Sequence, residues 1–280
     1  MIARRDFIKK TTTASLALLL PIRLNRNESH NNIGIQLYSI RQKLNEDFEG
    51  SMRKLSKIGF NAVETANYKD RKFYGYTPKE FFSFTTSLNI KALSSHANVQ
   101  METLAQTIED TLEAGMQYLV KPSFDKAYRN SLDDYKKQAE VFNKVGEKCK
   151  QSGLRFGYHN HAFEFEKMDG QIPYDVLLKN TEADLVCMQL DTYWMVYAGY
   201  DPMDYINNYP HRFELLHIKD LLPNEAKEST EIGQGIIDFK EIFRAKDRSG
   251  MQYFFLEQES FQMDMFESIG ISYKYLNTLL

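Results

Sequence analysis

Residues 131–161 read SLDDYKKQAEVFNKVGEKCKQSGLRFGYHNH. Ser131 to Ser152 has helical period and stops at Gly153, a residue suited to a helix C-terminal cap. A short apolar run follows, Arg155 to Asn160, and ends in His159-Asn160-His161. Helix, glycine, strand and polar end form a unit that recurs outward in both directions. The same reading places strands at Ile33 to Ser39, Asn61 to Thr65, Ile90 to Ser95, Tyr118 to Lys121, Leu185 to Asp191, Phe213 to Lys219 and Tyr253 to Glu257. Helical stretches such as Phe48 to Ile58, Pro78 to Leu88 and Met101 to Ala114 lie between them, two of them closed by Gly59 and Gly115. Parallel strands need such crossovers. Eight units within about 250 residues match a single-domain (β/α)8 barrel over residues 33–280. A doubly wound open sheet fits less well, because Gln36-Leu37-Tyr38-Ser39 stands where a glycine-rich phosphate fingerprint would follow the first strand.

The composition narrows the function. With 280 residues, 42% of them hydrophobic, the chain can bury a large core and is neither disordered nor fibrous. A formal charge of −3 gives no electrostatic reason for a nucleic-acid partner. Cys149 and Cys187 are too few and too far apart for a disulfide framework or a cysteine zinc cluster, and read as core thiols. The 17 Tyr and 19 Phe suit a core together with an aromatic-lined cleft.

At the amino terminus, Arg4-Arg5-Asp6-Phe7-Ile8-Lys9-Lys10 precedes an apolar run from Ala14 to Leu20 and then Pro21. That run is well short of the roughly 20 residues that span a bilayer, so no permanent membrane span is expected. The paired arginines followed by Phe-Ile-Lys resemble a twin-arginine export signal. Residues 1–32 are therefore read as export signal and polar linker to a periplasmic protein, with a cytoplasmic basic helix as the alternative. Loss of residues 1–24 would remove five basic residues and one acid and take the formal charge from −3 to −7.

A barrel builds its active site at the carboxyl ends of its strands. Here those ends read Val63-Glu64-Thr65, Ser95-His96, Lys121, His159-Asn160-His161, Asp191, His217-Ile218-Lys219-Asp220 and Glu257-Gln258-Glu259. Four of the six histidines fall in these few positions. Alternation along a strand turns His159 and His161 the same way, and likewise His217 and Lys219, if each strand continues that far. Imidazole nitrogens with carboxylate oxygens suit a divalent ion such as Mn²⁺, Co²⁺, Zn²⁺ or Mg²⁺. The residues point to one metal held by Asp191, His217 and Glu257, with a fourth ligand from the strand 5 region. The competing reading is a polar network that braces the barrel mouth.

These stretches also carry a family likeness. Gly34-Ile35-Gln36-Leu37-Tyr38-Ser39, Tyr158-His159-Asn160-His161-Ala162-Phe163-Glu164-Phe165, Leu190-Asp191-Thr192-Tyr193-Trp194, His217-Ile218-Lys219-Asp220 and Gly233-Gln234-Gly235-Ile236-Ile237-Asp238-Phe239 together resemble the xylose isomerase-like sugar phosphate isomerase/epimerase superfamily of TIM barrels. In related epimerases one divalent metal is held at the ends of strands 5 to 8 by Glu, Asp, His and Glu, and Asp191, His217 and Glu257 match the last three. This sequence departs at the first: either His159 takes that position or Glu164 folds back to it. The resemblance also implies dimers or larger homo-oligomers.

The resemblance implies a metal-dependent sugar isomerase or epimerase that removes a proton beside a carbonyl and passes through an enediolate. Some members of the group act on 3-keto-glycosides, which begin with the same proton loss, so a lyase expelling a β-substituent in glycan breakdown is the alternative. A cation bridging the carbonyl and a neighbouring hydroxyl stabilises the developing charge. His161, Glu164 and Glu257 are the candidate bases, since a base must lie within hydrogen-bond reach and histidine is matched to neutral pH. Lys219 is the candidate oxyanion stabiliser. Gln36, Tyr38, Glu64, His96, Lys121 and Trp194 are expected to line the pocket. Gly233-Gln234-Gly235 is flexible enough to cradle an anion, though a turn is the commoner role. A metal-dependent nuclease of abasic DNA shares the barrel but needs more histidines and a basic face. A sugar-binding barrel without catalysis would keep Tyr38, Tyr193 and Trp194 and need no metal.

Overall fold

The computed structural model describes residues 32–280, so the expected signal and linker, Asn32 apart, lie outside the described residues. Eight parallel strands close into one barrel: β1 Gly34–Gln36, β2 Ala62–Thr65, β3 Lys91–His96, β4 Tyr118–Lys121, β5 Arg155–His159, β6 Val186–Asp191, β7 Leu215–Ile218 and β8 Tyr253–Leu256. Each pairs with its neighbours in the chain, and β1 pairs with β8 to close the ring. The expected barrel is the observed one. Several strands are shorter than expected at their carboxyl ends. β1 stops at Gln36 because the Gln36 side chain accepts a hydrogen bond from the Tyr38 amide (3.1 Å) and the chain turns into a 3-10 segment, Leu37–Ile40. β5 stops at His159, so His161 stands in the following loop and not on the strand.

The helices form where the apolar spacing and the caps agree. Phe48–Ile58 begins at Asp47, whose side chain accepts from the Gly50 amide, and ends at Gly59 with φ of 123°. Pro78–Ser87 opens with a capping box between Thr77 and Glu80. Leu132–Gln151 lays Tyr135, Ala139, Phe142, Val145 and Cys149 against the barrel. Both cysteines are buried and free. No helix among the described residues is long and apolar enough to cross a membrane.

Inside the barrel the alternation of each strand sorts side chains into layers. Arg155 and Glu214 form an ion pair of 2.6 Å in the lower layer, and the Tyr118 hydroxyl donates to Glu214. Above it Ala62, Leu93, Val120, Cys187, Leu215 and Phe255 form an apolar plug. Phe255 leaves no space for a side chain at Gly34, where a Cβ would lie 2.6 Å from the ring. The next inward positions, Gln36, Glu64, His159, Gln189, Asp191, His217 and Glu257, are polar and buried. The pattern breaks once. A bulge between β2 and β3 shifts the register at Val63 and Glu64. Leu93 then joins the plug while Ser94 donates to Glu64, so two successive residues face inward and His96 follows Ser94 into the site. Two short hairpins not expected from the sequence, Tyr68–Lys69 with Lys72–Phe73 and Asp220–Leu221 with Ser229–Thr230, rise at the same end.

Candidate metal centre and active site

Asp191 and His217 are paired in the β6–β7 register, which sets their side chains side by side above the plug. Asp191 also caps the following short helix: its Oδ1 accepts from the Trp194 amide (2.9 Å), leaving Oδ2 free to face the barrel axis. Oδ2 lies 3.7 Å from His217 Nδ1 and 4.0 Å from His159 Nε2. Glu257 continues the β8 ladder by donating its amide to the Ile218 carbonyl, and its Oε2 stands 2.5 Å from His217 Nδ1. Asn160 fastens the end of β5 to this group, accepting from the Asp191 amide and donating to the Asp191 carbonyl.

Glu64 is the hub beneath. It accepts from Gln36 (2.7 Å), Ser94 (2.5 Å), Gln189 (2.8 Å) and His217 Nε2 (2.6 Å). Both ring nitrogens face carboxylates, Nε2 at Glu64 and Nδ1 at Glu257, so the metal-free imidazole holds two protons, and a bound cation would displace the one on Nδ1 while Nε2–H stays on Glu64. Burial alone would raise the Glu64 carboxyl, but the imidazoles of His96 and His217 outweigh it and hold it below the usual range. Burial would lower His217, yet Glu257 and Glu64 hold it well above the usual histidine value. Burial pushes His159 and His161 down, His161 to about 4 against the opposing pull of Asp191 and Glu257.

The residues fit a divalent ion. Asp191 Oδ2 and His217 Nδ1 are buried polar atoms with no hydrogen-bond partner among the described residues, although Glu257 Oε2 approaches His217 Nδ1 to 2.5 Å. One oxygen or nitrogen from each of Asp191, His217 and Glu257 lies within 4.8 Å of the others. Ligand atoms about 2.1 Å from one ion stand roughly 3.0 to 4.2 Å apart across the usual coordination angles. The 3.7 Å and 4.0 Å separations fall in that window, and only the Glu257 contact is closer. His96, His159 and His217 also cluster, but His96 Nε2 is engaged by Gln189 (2.6 Å) and His217 Nε2 by Glu64. The group with carboxylates is therefore the open one.

A cleft of about 440 Å³ lies above, walled by Gln36, Tyr38, Tyr68, His96, His159, His161, Trp194, Glu257 and Glu259. Gln36, Tyr38, His96 and Trp194 stand where the sequence reading expects them. Glu64 lies under the floor instead of in the wall. Lys121 is tied to the Val99 carbonyl and is not part of the wall. Lys219 is 1% exposed and bonded to Glu259, with Glu257 at 3.5 Å and the rings of Tyr193 and Trp194 against its ammonium. Glu164 does not reach the cluster. Its oxygens accept from the Tyr158 hydroxyl (2.5 Å) and the His161 amide (2.9 Å), and burial raises it to about 7. Tyr68 and Glu259 escaped the expected pocket set. Tyr68 is brought in by a hairpin that Arg71 ties to Asp110, and no local pattern announces that tie.

The Gly233-Gln234-Gly235 cradle does bind an anion, and the anion is Asp220. Its carboxylate accepts from the amides of Gly233, Gly235, Ile237 and Leu221 at 2.9 to 3.2 Å. The loop is thus closed onto the end of β7.

A closed parallel barrel with its ionisable groups gathered at the carboxyl ends of the strands is a TIM barrel with its site on the usual catalytic face. Residues 52–275 match the model of the xylose isomerase-like TIM barrel family, and the chain belongs to that family. An inosose dehydratase of Clostridium botulinum is 28% identical over 195 residues, which cover 64% of this chain and 61% of the relative. One of Lacticaseibacillus casei is 27% identical over 181 residues, 58% of this chain and 60% of the relative. The chain spans about three-fifths of the length of these curated relatives. A solved sugar phosphate isomerase/epimerase of Parabacteroides distasonis superposes with a TM-score of 0.77 at 29% identity, over 88% of this chain and 93% of that one.

Proposed function

We propose that this chain is a divalent-metal-dependent carbohydrate enzyme that removes a proton beside a carbonyl and then eliminates a β-substituent, as a dehydratase or glycoside lyase. The observation that carries the reading is the meeting of Asp191 Oδ2 and His217 Nδ1, 3.7 Å apart and without hydrogen-bond partners, under a cleft of about 440 Å³. His159, Asp191, His217 and Glu257 would hold the ion. Bound there, a divalent cation polarises the substrate carbonyl and stabilises charge developing on its oxygen.

The chain's own residues supply the remaining steps. Tyr38, Tyr68 and Trp194 cover the apolar faces of the sugar and exclude water. His161 stands in the wall beside Trp194 and takes the proton from the carbon next to the carbonyl. That C–H electron pair becomes a carbon–carbon double bond as the bond to the β-oxygen breaks. The protonated His161 returns its proton to the departing oxygen, so water or an alcohol leaves. Lys219 balances Glu257 and Glu259 from beneath and acts as a brace, not as an oxyanion donor.

Similarity to inosose dehydratases supports elimination. Similarity to a sugar phosphate isomerase/epimerase supports a second reading, in which the same proton loss gives an enediolate that is reprotonated, with no β-substituent expelled. A phosphate on the substrate would not find the Gly233–Gly235 cradle open, since Asp220 fills it. The metal-loaded protein, incubated in D₂O with cyclic ketones, ketoses and 3-keto-glycosides, decides between them. An unsaturated product with release of water or aglycone is expected; deuterium in recovered ketone marks reprotonation. The absence of both outcomes across the whole panel overturns the proposal.

A further inference from the structure

The β5 end offers the centre an imidazole. His159 is buried, its ring centroid lies 4.5 Å from that of His217, and its Nε2 is 4.0 Å from Asp191 Oδ2. As a ligand beside the Asp191, His217 and Glu257 group it would make the donor set two nitrogens and two carboxylates. Resting on the metal-dependent reading above, we propose that His159 makes the centre selective, accepting Zn²⁺ and Co²⁺, holding Mn²⁺ more weakly and rejecting Mg²⁺.

The reason is chemical. Mg²⁺ wants a near-ideal octahedron of oxygens and keeps several waters, whereas imidazole nitrogens suit the later first-row ions. Two of the four donors here are nitrogens. The negative charge that would hold a hard ion is also blunted: the Lys219 ammonium stands 3.5 Å from Glu257 Oε1 and is bonded to Glu259. Asp191, His217 and His159 are all buried, with the His159 ring against His96 and the His217 ring against Phe255.

The test is a calorimetric titration of chelator-treated, full-length protein with the chlorides of the four metals. One Zn²⁺ or Co²⁺ per chain is expected, bound at least roughly a thousandfold more tightly than Mg²⁺. His159→Glu narrows that gap at least tenfold. Pulsed electron paramagnetic resonance of Cu²⁺-loaded protein gives a second reading, with two coordinated imidazoles in the wild type and one in His159→Gln. This measurement on the wild type stands even if a variant fails to fold. Mg²⁺ binding within tenfold of Mn²⁺, or a single coordinated imidazole in the wild type, overturns the selectivity and leaves the metal site intact. No binding of any of the ions overturns the metal reading itself.

Discussion

Asp191 Oδ2 and His217 Nδ1 face each other across the β6–β7 pair at 3.7 Å, each held in place by its other polar atom. Trp194 holds Asp191 Oδ1 through its amide, and Glu64 holds His217 Nε2. Two side chains so fixed lose little conformational freedom when they grip a common ion.

Asp191→Ala and His217→Ala should each lower metal affinity by at least about a hundredfold, beyond the 10- to 100-fold typical of supporting residues, and remove activity with it. Metal content after dialysis and turnover of the same preparation check this. A fully active, metal-loaded variant at either position would refute the assignment.

Glu64→Gln keeps the shape of the hub but removes its charge. His217 then loses its carboxylate acceptor, and affinity for Co²⁺ should fall by about 10- to 100-fold. The variant should remain folded by circular dichroism. Unchanged Co²⁺ affinity would show that Glu64 merely fills space.

Glu164 gives the fold a pH dependence of its own. Burial raises its folded value from 4.5 to about 7, so the folded state holds the proton more tightly than the unfolded chain. Below 4.5 both states are protonated and the contribution is fully present. As pH rises from 4.5 through 7 the unfolded chain ionises first and stability falls, by up to about 3 kcal/mol. Urea unfolding of wild type and Glu164→Gln between pH 5 and 8 isolates this share. The variant should show the flatter profile, and parallel profiles would count against it.

Asp220→Ala strips the acceptor from four loop amides. A loss of about 3 to 5 kcal/mol is expected, because unpaired buried amides cost about 1 to 3 kcal/mol each and some regain water. Gly235→Ala should also destabilise, since a Cβ there would run into the Asp220 carboxylate. Denaturant midpoints measure both, and a shift under 1 kcal/mol for Asp220→Ala would remove the cradle's structural role.

The barrel was legible in the chain wherever local rules act alone. Tyr118–Lys121 and Phe48–Ile58 have the bounds that periodicity assigns, and Gly59, Gly115 and Gly153 all adopt positive φ after their helices. The convergence of Asp191, His217 and Glu257 follows from the same pattern, since all three occupy inward positions at strand ends. The reach of strands 1 and 5 was not legible. Gln36 ends the first by bonding to the Tyr38 amide, and the second hands over to Asn160, whose side chain bonds across to Asp191.

Alternation of apolar and polar residues, with a period of two, was enough to specify which side of each strand faces the barrel axis. It could not specify where that alternation slips. His96 reaches the site only because the bulge at Leu93 and Ser94 resets the phase of β3, and Glu164 is drawn away because Tyr158 and the His161 amide compete for it. Asp220 claims the glycine loop because folding brings amides 13 to 17 residues distant within bonding range of its carboxylate. Local pattern encodes direction, but the choice of partner for a buried charge depends on which donors the closed barrel brings to it, and those lie far apart in the chain.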